Sequence, residues 1–157
     1  KAFQFLMSTR LLKSKGVRTY VDAARILKKK NRDIRFELIG FFEEHHPDSI
    51  TAQDIRYWQR RNFIHYSGFA KDVRPFLNQA DCLVFPSSYP EGVPRCLLEA
   101  ASMEIPIITS RNRGCTEVVE DGVNGFLCAI NDADDLARKM EQMVAVSAAE
   151  CAALGKK

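Results

Sequence analysis

The sequence predicts an α/β domain with a parallel sheet of about six strands and helices on both faces. Three observations predict it. Short apolar runs alternate with segments of helical periodicity along the 157 residues. Several of these runs stop at a basic, glycine or proline loop, as at Arg10, Gly40, Gly68 and Pro86. No internal repeat or low-complexity linker divides the chain, so one domain spanning 1–157 is expected. Strands alternating with helices imply right-handed crossovers and therefore a three-layer, Rossmann-like arrangement.

Residues 2–7 are apolar enough for a first strand, which runs into the basic loop from Arg10 to Gly16. Val17, Tyr20, Val21, Ala24 and Leu27 recur at helical spacing, predicting a helix over 17–30 that ends in Lys28-Lys29-Lys30. Residues 34–39 alternate partly and end at Gly40, giving a second strand. A polar helix is expected over 51–61 and a third strand over 63–66. Asp72 caps a short helix with Pro75 in its first turn. Residues 81–85 read as a buried central strand that Pro86 terminates. A helix begins near Pro94, whose fixed φ suits the first turn. A fifth strand is expected at 106–109, a brief helix at 115–120, a last strand at 125–128, and a closing helix capped by Asp132 or Asp134.

Composition narrows the function classes. The chain is 46% hydrophobic and 27% charged, which suits a soluble globular protein. Its net charge of +3 is too slight to argue for nucleic acid. No apolar run approaches the roughly 18 residues of a membrane span. Lys1 in place of Met suggests a piece of something longer. The five cysteines are odd in number, scattered and never in a C-x-x-C pair, which points to reduced thiols, a cytoplasmic compartment and no zinc site.

In parallel sheets of this kind ligands bind outside the C-terminal ends of the strands. Arg10, Gly40, Gly68 and the 86–92 loop all follow predicted strands and gather on that edge. The stretch PSSYPEGVPRCLLE, from Pro86 to Glu99, couples a glycine-bearing loop to a helix N-terminus, an arrangement that binds anions through backbone N–H groups. Glu91 in the loop and Glu99 on the helix add two carboxylates. A ligand that is part phosphate and part polyol fits: phosphate takes the N–H groups, and hydroxyls donate to the carboxylates. Arg10 and Lys15 would neutralise a diphosphate. The plainer alternative makes Arg95 and Glu99 an i, i+4 surface pair worth about 0.3–0.5 kcal/mol. On that helix Arg95, Glu99 and Ser102 share a polar stripe, while Cys96, Leu97, Ala100 and Met103 face the core.

Glu91 and Glu99, separated by seven residues in EGVPRCLLEA, resemble the E-x7-E signature of retaining GT-B glycosyltransferases. The wider string is similar to the family-four nucleotide-sugar enzymes. It includes RLLKSKG from Arg10, Ile39-Gly40, Tyr66-Ser67-Gly68, DCLVFPS from Asp81 and the run from Gly114 to Leu127. The match covers almost the whole chain and corresponds to the C-terminal, donor-binding half of a two-domain GT-B fold. The N-terminal acceptor domain is absent from this sequence.

The resemblance implies a hexosyl or N-acetylhexosaminyl transfer from a nucleoside-diphosphate sugar, UDP foremost, to a glycan or lipid-linked acceptor in bacterial polysaccharide synthesis. It implies that Arg10 and Lys15 clamp the diphosphate, Glu99 accepts from ribose hydroxyls and Glu91 holds a hydroxyl of the sugar. The backbone of Gly92, Val93, Pro94 and Arg95 would meet sugar and phosphate. Gly40 would join the site, Leu97 and Leu98 would line the helix end, and residues 63–66 would lie beside the base. No metal or other cofactor is implied, since cations and a helix dipole can stabilise the leaving diphosphate. The fragment alone is expected to be inactive or nearly so, because proximity to an acceptor is lost.

Three departures from the family pattern stand out. Glu104 occupies a position usually held by Gly, Phe41-Phe42 follows Gly40, and Asn112-Arg113-Gly114 replaces a Gly-Gly pair; Arg113 could reach the donor or be solvated.

A dehydrogenase domain would need G-x-G-x-x-G after the first strand, where Ser8-Thr9-Arg10-Leu11-Leu12 stands instead. A non-catalytic nucleotide-binding module or a sugar-nucleotide epimerase on the same fold is the alternative, although no set of acid/base residues for epimerisation is evident. The basic cluster formed by Lys28–Arg32, Arg56, Arg60 and Arg61 reads as solvated helix faces, with peripheral contact to anionic lipid as the other reading.

Overall fold

The computed structural model of the chain describes residues 2–30, 33–90, 92–146 and 153–156. A six-stranded sheet, parallel at every pairing, runs through it in the order β3-β2-β1-β4-β5-β6. The strands are β1 (Phe3–Ser8), β2 (Ile34–Ile39), β3 (His65–Tyr66), β4 (Cys82–Phe85), β5 (Ile107–Ser110) and β6 (Gly125–Cys128). The helices are α1 (Val17–Lys30), α2 (Ala52–Arg60), α3 (Arg74–Gln79), α4 (Arg95–Ser102) and α5 (Ala133–Ala145).

The chain leaves β1 towards β2 but leaves β4 towards β5, in opposite directions across the sheet. Right-handed crossovers therefore place α1 and α4 on opposite faces. The closing helix α5 returns to pack on α1. Central strands are sealed on both sides: Phe5, Leu6, Met7, Leu83 and Val84 are almost wholly inaccessible. That is why their sequences read as continuous apolar runs rather than alternating ones. In α1 the buried residues are those of the helical stripe, with Ala23 beside them. Tyr20 is fully enclosed and donates its hydroxyl to the Glu37 carbonyl at 2.9 Å, so the polar atom is not orphaned. Burial and the nearby Glu37 charge push its phenol well above the usual range.

Local chemistry sets the helix ends. Thr51 and Asp54 form a reciprocal capping box at α2. Asp132, rather than Asp134, caps α5 by accepting from the Asp135 N–H. Asp72 accepts from the Arg74 N–H, yet Val73 is the α3 cap residue. Two expectations contract. The third strand shortens from 63–66 to two residues, because Phe63 N–H bonds back to Trp58. The 115–120 helix is a single 3-10 turn at Cys115–Glu117.

Glu104 adopts φ +59°, the left-handed conformation for which glycine is suited. A side chain there costs about 1 kcal/mol. Glu104→Gly is expected to raise unfolding stability by about that amount in a denaturant titration, since Glu104 has no ion pair among the described residues.

Candidate functional site

The divergence of the chain after β1 and β4 opens a crevice between the loops that follow these two strands. The first loop carries Arg10 and Lys15, and it is pinned from two sides. On one side, Asp48 accepts from the Ser14 N–H at 2.6 Å, and Ile50 N–H donates to the Leu11 carbonyl. On the other, the Ser14 carbonyl accepts from the Ser88 N–H at 2.9 Å and from the Ser87 and Ser88 hydroxyls. Gly16 sits at φ +90° with its Cα against the Pro86 carbonyl, where a Cβ would overlap that oxygen.

Hydrogen bonding from the Ser14 side chain, then from its N–H, holds the Asp48 carboxyl below the usual carboxylate range. The folded pKa is depressed, so this stabilisation is present above the unfolded value near 3.8 and is lost as pH falls through the lower folded value. Melting temperatures of Asp48→Asn are expected to depend less on pH than those of the parent below about pH 4.

Beneath the second loop lies a buried polar network. Thr109 donates to the Phe85 carbonyl at 2.6 Å, and the Ser110 hydroxyl donates to the Ser87 carbonyl at 2.5 Å. Asn112, 5% exposed, donates to the carbonyls of Ser87 and Tyr89. These bonds satisfy a loop that carries no regular structure and fix the path into α4.

A cleft of about 670 Å³ occupies the crevice. The ends of β1, β2 and β4 form its floor through Ser8, Ile39 and Phe85. Arg10, Lys15, Gly40, Gly92, Val93, Pro94, Arg95 and Glu99, all expected at the site, line it together. Gly40 is required by contact, since a Cβ would run into the Thr9 carbonyl oxygen. Glu91 lies outside the described residues.

Four lining side chains are cationic (Arg10, Lys15, Lys71 and Arg95), and the one described carboxylate is Glu99. Arg10 is half-exposed and leans on Glu43, with Nη1 at 3.1 Å from Oε1. Lys15 lies with its ammonium 5.6 Å from the centre of the Tyr89 ring. The i, i+4 pair between Arg95 and Glu99 does not form: neither side chain has a charged partner among the described residues. Glu99 is half-buried at the wall, and its carboxylate accepts from no group among the described residues. No side chain caps α4, and its cap residue is Pro94, one position earlier than the first-turn placement expected.

Not every expected residue turns its side chain to the cleft. Leu97 is wholly buried in the core and Leu98 points outward, half-exposed, so neither side chain lines the cleft. Helical geometry separates them: residues 95, 96 and 99 face the crevice while 97 and 100 face the sheet. Cys96, assigned to the core, in fact reaches the cleft as well. Residues 63–66 do not line it; the wall there is Phe69, Ala70 and Lys71. Tyr66 donates its hydroxyl to the carbonyl of Gly40, which does line the cleft, at 2.6 Å. Arg113 is exposed and away from the cleft. The missed residues Phe69 and Lys71 carry a legible signal, since they directly follow the strand-ending Ser67-Gly68. The Phe41 departure meets them, packing edge-on against Phe69 with ring centres 5.6 Å apart.

A cation-lined crevice lies at the switch point of a parallel α/β sheet, the usual place for a ligand in such folds, and the Glu99 carboxylate beside it has no partner among the described residues. The family description "Glycosyl transferases group 1" matches residues 1–157, and the chain belongs to that family. It is 31% identical over 136 residues to the lipopolysaccharide core biosynthesis glycosyltransferase LpsE of Rhizobium meliloti, covering 87% of this chain and 38% of LpsE. It is 30% identical over 139 residues to the N,N'-diacetylbacillosaminyl-diphospho-undecaprenol alpha-1,3-N-acetylgalactosaminyltransferase of Campylobacter jejuni, covering 88% and 35% of the two. Among solved structures, Anabaena HepE in complex with UDP-glucose superposes with a TM-score of 0.85 at 23% identity, over 99% of this chain and 42% of HepE. The chain thus spans about a third of the length of the curated relatives it matches. The fold is a Rossmann-like α/β sheet whose structural neighbours are GT-B glycosyltransferases. No helix among the described residues is long and apolar enough to cross a membrane.

Proposed function

We propose that this chain is the donor-binding half of a retaining family-four glycosyltransferase that takes a nucleoside-diphosphate sugar, UDP foremost, and transfers its hexosyl or N-acetylhexosaminyl group. The observation that carries the reading is the cleft itself. Among the described residues it holds four cations for a diphosphate and one half-buried carboxylate, without a partner there, for vicinal hydroxyls. Arg10, Lys15 and the start of α4 take the diphosphate, and their positive charge stabilises the leaving group without a metal. Glu99 accepts from the ribose, and Glu91 holds a hydroxyl of the transferred sugar. Gly92 to Arg95 give backbone approach to sugar and phosphate.

The acceptor comes from a second, N-terminal domain outside this sequence. It is a growing glycan or a lipid-linked sugar, as the undecaprenol-linked substrate in the Campylobacter relative's name suggests. The protein works in the cytoplasm, and a lipid-borne acceptor brings it to the inner face of the membrane. Isolated, the fragment binds donor and transfers almost nothing.

Calorimetric titration with UDP, GDP, ADP and NAD tests this. The reading expects UDP to bind and to raise the melting temperature. Binding of NAD alone, or of no nucleoside diphosphate, would overturn it.

A further inference from the structure

A second basic groove lies at the opposite end of the strands from the cleft. It occupies about 500 Å³ and is lined by Arg25, Lys28, Lys29, Arg61, Asn62 and Phe63. These residues come from the end of α1 and the turn between α2 and β3, beside the strand starts. The cleft lies at the strand ends, one strand length or about 20 Å away. Four cationic side chains and no carboxylate form the lining.

Three residues of the basic cluster read from the sequence as solvated helix faces, Lys28, Lys29 and Arg61, converge here with Arg25. Helix dipoles account for part of it, because lysines suit the last turn of α1. Two helix ends contribute only about one negative charge between them, however, against four cations. Ion pairing does not neutralise the rest. Arg25 meets Asp22 at 3.6 Å, with both half-exposed, while Lys29 and Arg61 have no carboxylate partner among the described residues.

Two members are held in place. Lys28 donates to the Asn62 carbonyl at 2.7 Å, tying α1 to the turn. The Arg61 guanidinium lies 5.8 Å from the centre of the Phe63 ring. Burial, then the neighbouring Arg35, lowers the Lys28 pKa. A groove with preset cations and unused donors suits a compact, multiply charged anion.

We propose that this groove is a second phosphate-binding site, separate from the cleft, that takes a diphosphate or a phosphorylated headgroup. The test is an amide-resolved NMR titration of the full chain with inorganic pyrophosphate. A parallel titration uses vesicles of phosphatidylglycerol, with phosphatidylcholine vesicles as the neutral control. The amides of Lys28, Lys29, Asn62 and Phe63 are expected to shift. In the triple variant R25Q/K29Q/R61Q the apparent Kd at this site rises about tenfold or more, as loss of charge-assisted hydrogen bonds implies.

An unchanged melting temperature in that variant shows that folding is intact, since all three side chains are exposed. Response to pyrophosphate alone identifies a soluble ligand; response to phosphatidylglycerol identifies the headgroup. Either supports the site, whether or not the cleft binds UDP. Shifts confined to the cleft amides of Gly92, Val93, Arg95 and Cys96, or groove shifts that survive in the triple variant, overturn it. So does an absence of groove shifts with both probes.

Discussion

Glu99→Ala is expected to weaken UDP binding by about 2–3 kcal/mol, or roughly 30- to 150-fold, while leaving the fold slightly more stable. The two effects have one cause. Glu99 is half-buried beside the cleft and has no partner for its carboxylate among the described residues. A carboxylate partly withdrawn from water with nothing to accept from is a cost to the free protein. On the proposed reading it would become favourable once two ribose hydroxyls donate to it, because bonds to a charged acceptor are the strong ones. Alanine removes the desolvation cost and is the better helix former, so the melting temperature should rise by about 1–3 °C. Arg95 would not compensate, since it is not paired to Glu99. Calorimetry with UDP and thermal unfolding of the same two proteins separate the readings. A carboxylate with only a surface role would change neither quantity appreciably. Loss of binding together with a marked fall in melting temperature would make Glu99 a structural residue instead.

Most of the fold was legible because its signals are local. The α1 stripe and the β2 run needed only periodicity, and both lie where the spacing placed them. The strand-end rule then brought Arg10, Gly40 and the loop before α4 to one edge. What escaped depends on tertiary contact. The shortening of β3 follows from Phe63 bonding back to Trp58, which no window of sequence displays. Leu97 carries a core pattern in its own helix and its side chain is buried there, as the helical stripe indicates; the likeness to known enzymes placed it only at the helix end. Phe69 and Lys71 follow a strand end as plainly as Arg10 does, but they lie outside any motif.

Gly16→Ala is expected to cost about 2–4 kcal/mol of unfolding stability and to weaken donor binding with it. Two penalties add at this position. The first is conformational: φ of +90° is unfavourable for any L-residue by about 1–2 kcal/mol. The second is steric, because the new Cβ would overlap the Pro86 carbonyl oxygen, a backbone atom that cannot rotate away. Gly122 isolates the first penalty. It has φ of +79° but open space around its Cα, so Gly122→Ala should lose only about 1–2 kcal/mol and leave UDP binding intact. The excess at Gly16 has a functional consequence, since the Lys15 loop and the 86–90 loop touch at this point and share the bonds to the Ser14 carbonyl. Pushing them apart displaces Lys15 from the cleft wall and loosens the approach to α4. Chemical denaturation of both variants, followed by UDP titration, decides the matter. Equal stability losses at the two glycines would show that the loops yield without strain, and unchanged UDP affinity in Gly16→Ala would show that their contact does not organise the donor site.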